Sequence, residues 1–270
     1  MASGVEDHIV EAPLLATVPP TVLRCDWLAE QACSFSGWDF SHLDGRMTTE
    51  PLPWDYRSIV DEHLKPSDRL LDMGTGGGEF LLTLGHPPEL TTVTEAWPPN
   101  LKLCQQRLAP LGINVVHTFN DDALPLGDAS FDVVLNRHES FDAREVFRVV
   151  RPGGVFVTQQ VGGRNNADLA SSLIDGWSPS FPNHSLAVNK QLLTDAGFIV
   201  IADQEAFPVT RFTDVGAVVY YAKIIEWEFA GFNVDTCFTK LLKLNKHVQD
   251  GQPITATGHR FLLVATRPTS

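Results

Sequence analysis

The segment from Leu70 to Phe80, LLDMGTGGGEF, constrains the fold of this chain more than any other. An apolar run ends in Asp72, glycines follow at positions 74, 76, 77 and 78, and a helix-compatible stretch begins after them. This pattern predicts a buried strand that turns sharply into a helix around a nucleotide-type ligand. The glycines allow the backbone to approach that ligand, because a Cβ atom there would collide with it.

The spacing of these glycines separates two classes of cofactor. A dinucleotide fingerprint, Gly-x-Gly-x-x-Gly, needs a small third residue where the helix packs on the strand. That position falls on Glu79 when it is counted from Gly74, and on Leu81 when it is counted from Gly76. Both side chains are too large, so the spacing disfavours a nicotinamide oxidoreductase.

The same glycines fit a different family. Asp72-x-Gly74-x-Gly76-x-Gly78 resembles the first motif of the Rossmann-like (class I) S-adenosylmethionine (SAM)-dependent methyltransferases. The resemblance implies that SAM is the cofactor and that these four residues line its site. It covers roughly 66–205 and the final strand, a little over half of the chain.

Glu95 is the next candidate for the cofactor site. It ends the β-branched run TTVTE, one helix and one strand beyond Asp72. In nucleotide-binding βαβ units an acidic side chain at this place meets the ribose hydroxyls, and a carboxylate can accept two hydrogen bonds at once. The alternative for Glu95 is a solvated residue at a strand end.

The segment 120–138 carries a further part of the resemblance. In the family, an acidic residue accepts a hydrogen bond from the adenine amino group, and a nearby backbone N–H meets the ring. The resemblance implies that Asp121 fills the acidic place, with Asn120 second and with Asp122 and Ala123 beside it. The alternative is that these polar residues only form a turn.

The segment EVFRVVRPGGVFVTQQ at 145–160 predicts an amphipathic helix, a Pro-Gly-Gly turn and an apolar strand. An Arg-Pro-Gly-Gly turn before the fifth strand is frequent in the same family. The alternation of strands and helices predicts an α/β fold with a doubly wound, mostly parallel, seven-stranded sheet. The methyltransferase domain is expected to span 66–270.

Two segments lie outside this alternation. The sequence pattern of residues 1–65 indicates an N-terminal helical cap, and that of 205–257 indicates a helical lid inserted before the last strand. Aromatic candidates for covering the site are Trp38, Trp54 and Tyr56 in the cap, and Tyr220, Tyr221, Trp227 and Phe232 in the lid. The alternatives are ordinary core packing, a structural helix pair or a dimer contact.

The composition limits the classes of partner. The chain has 270 residues, 43% of them hydrophobic, and a formal net charge of −13. Nucleic-acid binders normally present a basic face, so we expect no nucleic-acid substrate. The four cysteines are scattered without a Cys-x-x-Cys or Cys/His cluster, which predicts neither structural zinc nor disulfides.

The apolar segments of the sequence are short. No window approaches the roughly 18 apolar residues of a membrane span, and the acidic N-terminus is unlike a signal peptide. We therefore expect a cytoplasmic protein without a membrane partner, either a monomer or a homodimer.

Polar residues follow the predicted fourth and fifth strands, where ligands of open α/β sheets bind. His138 is the candidate general base, since its ordinary pKa near 6.5 suits proton removal at neutral pH; binding the substrate without proton transfer is the alternative. Arg137 is expected to pair a carboxylate of the substrate or cofactor, or to form an ion pair with Glu139 or Asp142.

Amide side chains complete this predicted edge. Gln160 is expected to orient the substrate, and Asn136 is assigned to the cofactor site. Metal-dependent catechol-type methyltransferases carry acidic ligands after strands four and five. Here those places hold Asn136, Gln159 and Gln160, so the sequence predicts no metal.

These observations favour a SAM-dependent methyltransferase that acts on O, N or C of a small-molecule acceptor. One alternative is a methyltransferase acting on a macromolecule, RNA or protein, which the acidic charge disfavours. Another is a non-catalytic SAM-binding protein, which the polar residues after strand four disfavour.

Overall fold

The computed structural model describes residues 18–35 and 40–269. The described part of the chain forms ten strands and nine α-helices. The strands are β1 (Met47–Thr49), β2 (Leu70–Met73), β3 (Thr91–Glu95), β4 (Asn114–His117), β5 (Phe131–Arg137), β6 (Val150–Val161), β7 (Ile199–Ala206), β8 (Val209–Phe212), β9 (Ile254–Thr257) and β10 (Arg260–Thr266). The helices are α1 (Pro20–Ala32), α2 (Tyr56–His63), α3 (Glu79–Leu84), α4 (Pro98–Arg107), α5 (Ala143–Val149), α6 (Ala167–Leu173), α7 (Leu186–Ala196), α8 (Val215–Ile224) and α9 (Val234–Gln249).

A seven-stranded sheet forms the centre of the molecule, in the order β4-β3-β2-β5-β6-β10-β7. β10 runs antiparallel to both of its neighbours, whereas the pairs formed by β2 to β6 are parallel. Successive side chains of β2 face opposite sides, so Leu70 packs in one helix-covered core and Leu71 in the other. The predicted doubly wound, mostly parallel sheet is confirmed.

The Arg-Pro-Gly-Gly segment differs from its prediction. Instead of a turn that precedes a strand, it lies inside β6, which begins at Val150. The pairing of β5 with β6 shifts register between Phe131 and Val133, and Gly153 adopts φ +77°. A glycine-containing bulge therefore absorbs the turn without ending the strand.

A third core lies beside the end of β6 and the start of β10, and we call it the cap. It contains α1, α6, α8 and α9 together with a small antiparallel sheet in the order β1-β8-β9. The predicted helical lid thus contributes two strands as well as two helices. The N-terminal segment is divided, because α1 and β1 pack in the cap whereas Trp54 and α2 pack against the central sheet.

The aromatic candidates for covering the site have different surroundings. Tyr220 is buried within the cap core, so it does not line a cleft, whereas Tyr221 and Phe232 are partly buried against that core. Trp227 is 41% exposed. Trp38 lies outside the described residues. None of the helices in the described ranges is both long and apolar enough to cross a membrane.

Candidate functional site

The glycine loop between β2 and α3 follows a left-handed path. Gly74, Gly76 and Gly78 have φ values of +63°, +63° and +77°, which are strained for any residue with a Cβ atom. Their surroundings differ. A Cβ on Gly78 would lie 2.7 Å from Leu108 Cδ2, whereas a Cβ on Gly76 would meet no heavy atom within 4 Å. Gly78 therefore allows close packing, and Gly76 borders open space.

Glu95 holds this loop in place from the end of β3. Its Oε2 accepts from the Gly76 N–H at 3.0 Å, and its Oε1 accepts from the N–H groups of Ala96 and Trp97 at 3.0 and 2.9 Å. Glu95 is only 5% exposed, so the alternative of a solvated strand-end residue does not describe it. A carboxylate has about four lone-pair sites, and the fourth faces the Asn100 amide N–H at 3.5 Å. A ligand hydroxyl would therefore bind Glu95 by replacing this longest of its four contacts.

Asp72 ends β2 beneath the loop and is buried. Burial raises its pKa to about 6, because the protein interior disfavours the charged form; the Glu95 charge acts in the same direction. The neighbouring Thr75 hydroxyl and the Arg137 charge oppose this rise. Asp72 therefore carries a charge that the surrounding protein only partly stabilises.

Asp121 is distinguished from its neighbours in the loop after β4. Its Oδ2 accepts from the Ser140 hydroxyl and so joins this loop to the one after β5. Asn120, Asp122 and Ala123 are exposed, and the described contacts leave their predicted roles open. The geometry brings Asp121 to the strand end predicted for the adenine contact.

The two amide side chains of the predicted site, Asn136 and Gln160, are buried and bonded to each other. Gln160 Nε2 donates to Asn136 Oδ1 at 2.5 Å, to Thr158 Oγ1 at 2.7 Å and to the Glu139 carbonyl at 2.9 Å. Asn136 Nδ2 in turn donates to the Ser140 carbonyl at 3.3 Å. This network disfavours the predicted ligand contacts of both amides, since their polar atoms hold the segment after β5.

Glu139 is the site residue that the sequence analysis did not assign a chemical role. Its side chain lies over the glycine loop, and a Cβ on Gly74 would lie 2.8 Å from Glu139 Oε2. The pKa of Glu139 is raised to about 7, chiefly by burial and also by the charges of Asp121 and Glu95. The signal was its position in Asn-Arg-His-Glu, directly after the fourth strand of the methyltransferase pattern.

His138 lies at the same edge, exposed to solvent and with φ +64°. Its Nε2 is 3.0 Å from Gln159 Nε2, and Gln159 Oε1 accepts from the Trp54 indole N–H at 2.8 Å. Although the residue as a whole is exposed, nearby protein atoms desolvate its ring, and the charges of Arg260 and Arg137 act with this desolvation to lower the pKa of His138. A weakly basic imidazole disfavours the predicted general-base role.

Two arginines, Arg137 and Arg260, act electrostatically on His138. The Arg137 guanidinium lies 4.6 Å from the centre of the Phe80 ring. No carboxylate of the described residues forms an ion pair with Arg137, so the predicted alternative of a bridge to Glu139 or Asp142 is not formed. Arg260 Nη1 donates to the His259 carbonyl at 3.0 Å.

Within the part of the chain that the structure describes, no three His, Cys, Asp or Glu residues cluster in a way that could hold a metal ion. The acidic residues around the glycine loop are joined to backbone N–H groups and to hydroxyls instead.

Comparison with known proteins agrees with the architecture of this site. Residues 71–158 match the family model described as a methyltransferase domain. A phthiotriol/phenolphthiotriol dimycocerosates methyltransferase of Mycobacterium leprae is 34% identical over 128 residues, covering 44% of this chain and 44% of the relative. Its counterpart numbered 1 in Mycobacterium ulcerans is 30% identical over 181 residues, covering 62% and 65%.

The chain spans about half the length of these curated relatives, between 44% and 65%. Among solved structures, the YcgJ protein of Bacillus subtilis superposes with a TM-score of 0.55 at 17% identity, over 80% of this chain and 98% of that chain. At this level of identity the superposition supports the fold alone.

Proposed function

We propose that the chain is a Rossmann-like SAM-dependent methyltransferase that transfers the methyl group of SAM to an O, N or C atom of a small-molecule acceptor. The observation that carries this proposal is the 3.0 Å bond between the Gly76 N–H and Glu95 Oε2. It joins the left-handed glycine loop to the acidic residue after the next strand, which is the pair that binds a nucleoside in this architecture.

The residues around the loop suit SAM in shape and in charge. The open space beside Gly76 admits a ligand against the backbone, and a ribose hydroxyl would replace the long 3.5 Å contact between Asn100 and Glu95 Oε2. After burial, the negative charges of Asp121 and Glu95 are what raise the pKa of Glu139. A ligand that carries a sulfonium and an ammonium group relieves this repulsion.

When bound, SAM supplies an activated methyl group. The chain has to align the acceptor and manage its proton. Glu139 is the proposed proton acceptor, because its carboxyl group lies over the loop and its pKa of about 7 matches the working pH of a general base. The cap, which has its own core beside the end of β6, is proposed to exclude water.

The relatives guide the choice of acceptor. Their names specify phthiotriol and phenolphthiotriol dimycocerosates, which supports a lipid-like, hydroxyl-bearing small molecule as the first class to try for this chain. We propose a cytoplasmic setting for the reaction and a monomer or homodimer as the active form.

The test is transfer of a radiolabelled methyl group from SAM into a panel of hydroxylated lipids, phenols and amines, with transfer RNA and a protein mixture as macromolecular acceptors. Label in the organic-soluble small molecules, lost in the Gly76→Val variant, supports the proposal. Label confined to RNA or protein contradicts the small-molecule assignment, and SAM binding without any transfer favours a non-catalytic role.

A further inference from the structure

Two consecutive hydrogen bonds, from Trp54 to Gln159 and from Gln159 to His138, fix the tautomer of the histidine ring. An indole nitrogen can only donate, so the Gln159 atom that lies 2.8 Å from Trp54 Nε1 is the amide oxygen. The Gln159 amino group then faces His138 Nε2 at 3.0 Å. Trp54 and Gln159 are 9% and 7% exposed, so water does not readily replace either contact.

An amino group can only donate, and His138 Nε2 must therefore accept. A neutral imidazole whose Nε2 accepts carries its proton on Nδ1. Adding a second proton would place one donor against another, and the charges that face the ring, Arg137 and Arg260, oppose it as well. The described residues offer Nδ1 no hydrogen-bond partner, and the side chain is exposed.

The backbone holds the ring in the same place. The His138 N–H donates to the Gln159 carbonyl at 2.8 Å, so Gln159 fixes both the main chain and the side chain of His138. Among the described residues other than glycine, His138 shares a positive φ only with Ala129 and Asn166. Such a conformation persists where the surrounding structure holds it, and it is concentrated at functional sites.

We propose that Trp54 and Gln159 are positioning residues that keep His138 as a neutral Nδ1–H donor, directed at an oxygen atom of the methyl acceptor. The oxygen contact rests on the proposed function; the tautomer does not. The acceptor would therefore carry a carbonyl, carboxylate or hydroxyl oxygen next to the reacting atom. Glu139, and not His138, would remove the proton.

The first test is 15N NMR of the histidine rings of the full chain, with His138 assigned from the spectrum of His138→Asn. We expect a protonated Nδ1 and an unprotonated Nε2. In Gln159→Glu, a carboxylate would accept from both Trp54 and His138, so we expect protonation of Nε2 and a rise of about 1–3 units in the pKa of His138. Glu205→Gln, which alters the partner of a different histidine, His259, is the control.

A protonated Nε2 in the wild type, or an unchanged tautomer and pKa in a folded Gln159→Glu variant, would overturn the proposal. Trp54→Phe supplies a second reading, because it frees the Gln159 amide to turn over. We expect Trp54→Phe to yield a mixture of the two tautomers. A pure Nδ1–H tautomer in this variant would contradict the role of Trp54 in fixing the Gln159 amide.

The second test concerns the acceptor. An Asn amide N–H can replace an Nδ1–H donor, and Asn also tolerates the left-handed backbone at this position. We expect His138→Asn to retain at least about a tenth of the methyl-transfer rate and His138→Ala to lose about 100-fold. Equal losses of the methyl-transfer rate in His138→Asn and His138→Ala would contradict a hydrogen bond from Nδ1 to an acceptor oxygen. No transfer by the wild type would contradict the proposed function instead, and the NMR result would still decide the tautomer.

Discussion

The Glu139 carboxyl group lies directly over Gly74, close enough that a Cβ on that glycine would sit 2.8 Å from Oε2. The contact joins the segment after β5 to the first turn of the glycine loop, which is the part of the sheet edge that the proposed cofactor needs. Gly74 thus has two reasons to be a glycine, since its φ of +63° also disfavours a side chain.

Glu139→Gln tests the proposed proton acceptor. The carboxylate form is the base, and its pKa in the ligand-free protein is about 7, so we expect the wild-type kcat/KM to rise with pH through that value. The variant should lose about 10²- to 10⁴-fold in turnover together with this pH-dependent limb. The control is Glu89→Gln, an exposed carboxyl elsewhere, which should keep both. An unchanged pH profile in Glu139→Gln would mean that a group other than Glu139 accepts the proton of the methyl acceptor.

Gly76→Val tests the cradle of the cofactor. Its side chain would enter the open space beside the loop, so we expect SAM binding to be lost while the fold remains. Gly45→Val is the matched control, because Gly45 has φ +72° and open surroundings but lies in the cap segment. Each substitution should cost about 1–2 kcal/mol of backbone strain. Wild-type affinity in Gly76→Val would contradict the cofactor assignment.

Asp72 predicts a pH dependence of stability. Its folded pKa of about 6 exceeds the ordinary 3.8, so the folded state holds the proton more tightly than the unfolded chain. The stability that this group contributes is complete below pH ~4 and is lost as the pH rises through about 6. The loss amounts to about 3 kcal/mol, from roughly 1.4 kcal/mol per unit.

Asp72→Asn should remove that loss. Urea unfolding at pH 4, 5, 6 and 8 should show the variant gaining stability relative to the wild type as the pH rises, with a plateau above pH ~7. Asp44→Asn, an exposed aspartate in the cap segment, should show no such trend. A difference that is constant across this pH range would mean that Asp72 is not the group responsible.

Asp214 tests how much an N-cap hydrogen bond stabilises α8. Its carboxylate begins α8 by accepting from the Ala217 N–H at 2.9 Å, and it pairs with Arg46 Nη2 at 2.7 Å. Asp214→Asn keeps the helix cap and loses the charge pair, whereas Asp214→Ala loses both. We expect Asp214→Ala to be less stable than Asp214→Asn by about 1 kcal/mol in chemical denaturation. Equal stabilities of the two variants would show that the N-cap hydrogen bond to the Ala217 N–H contributes little.

The sequence predicted the central sheet well because each βα unit is local. The apolar runs and the glycine and proline signals of β2 to β7 lie within single segments, and the family resemblance supplied their order. The cap sheet is different. β1 pairs with β8, so Thr48 faces Arg211, and no local pattern in a three-residue strand indicates such a distant partner.

The site shows the same limit on a smaller scale. Gln159 and Gln160 are adjacent on β6, so their side chains point to opposite faces, and the sequence alone does not indicate which one reaches His138. Glu139 was overlooked because its chemistry depends on burial over Gly74 and on the charges of Asp121 and Glu95. Gly74, Asp121 and Glu95 come from three separate parts of the chain.

Calorimetric titration of the full chain with SAM, S-adenosylhomocysteine and NADH tests the central claim most directly. We expect SAM and S-adenosylhomocysteine to bind at about micromolar affinity. The Gly76–Glu95 geometry predicts nucleoside binding, and the spacing of the glycines predicts that NADH does not bind. A folded protein that binds neither SAM nor S-adenosylhomocysteine would contradict the central claim, and binding of NADH in their place would return the glycine loop to the dinucleotide class.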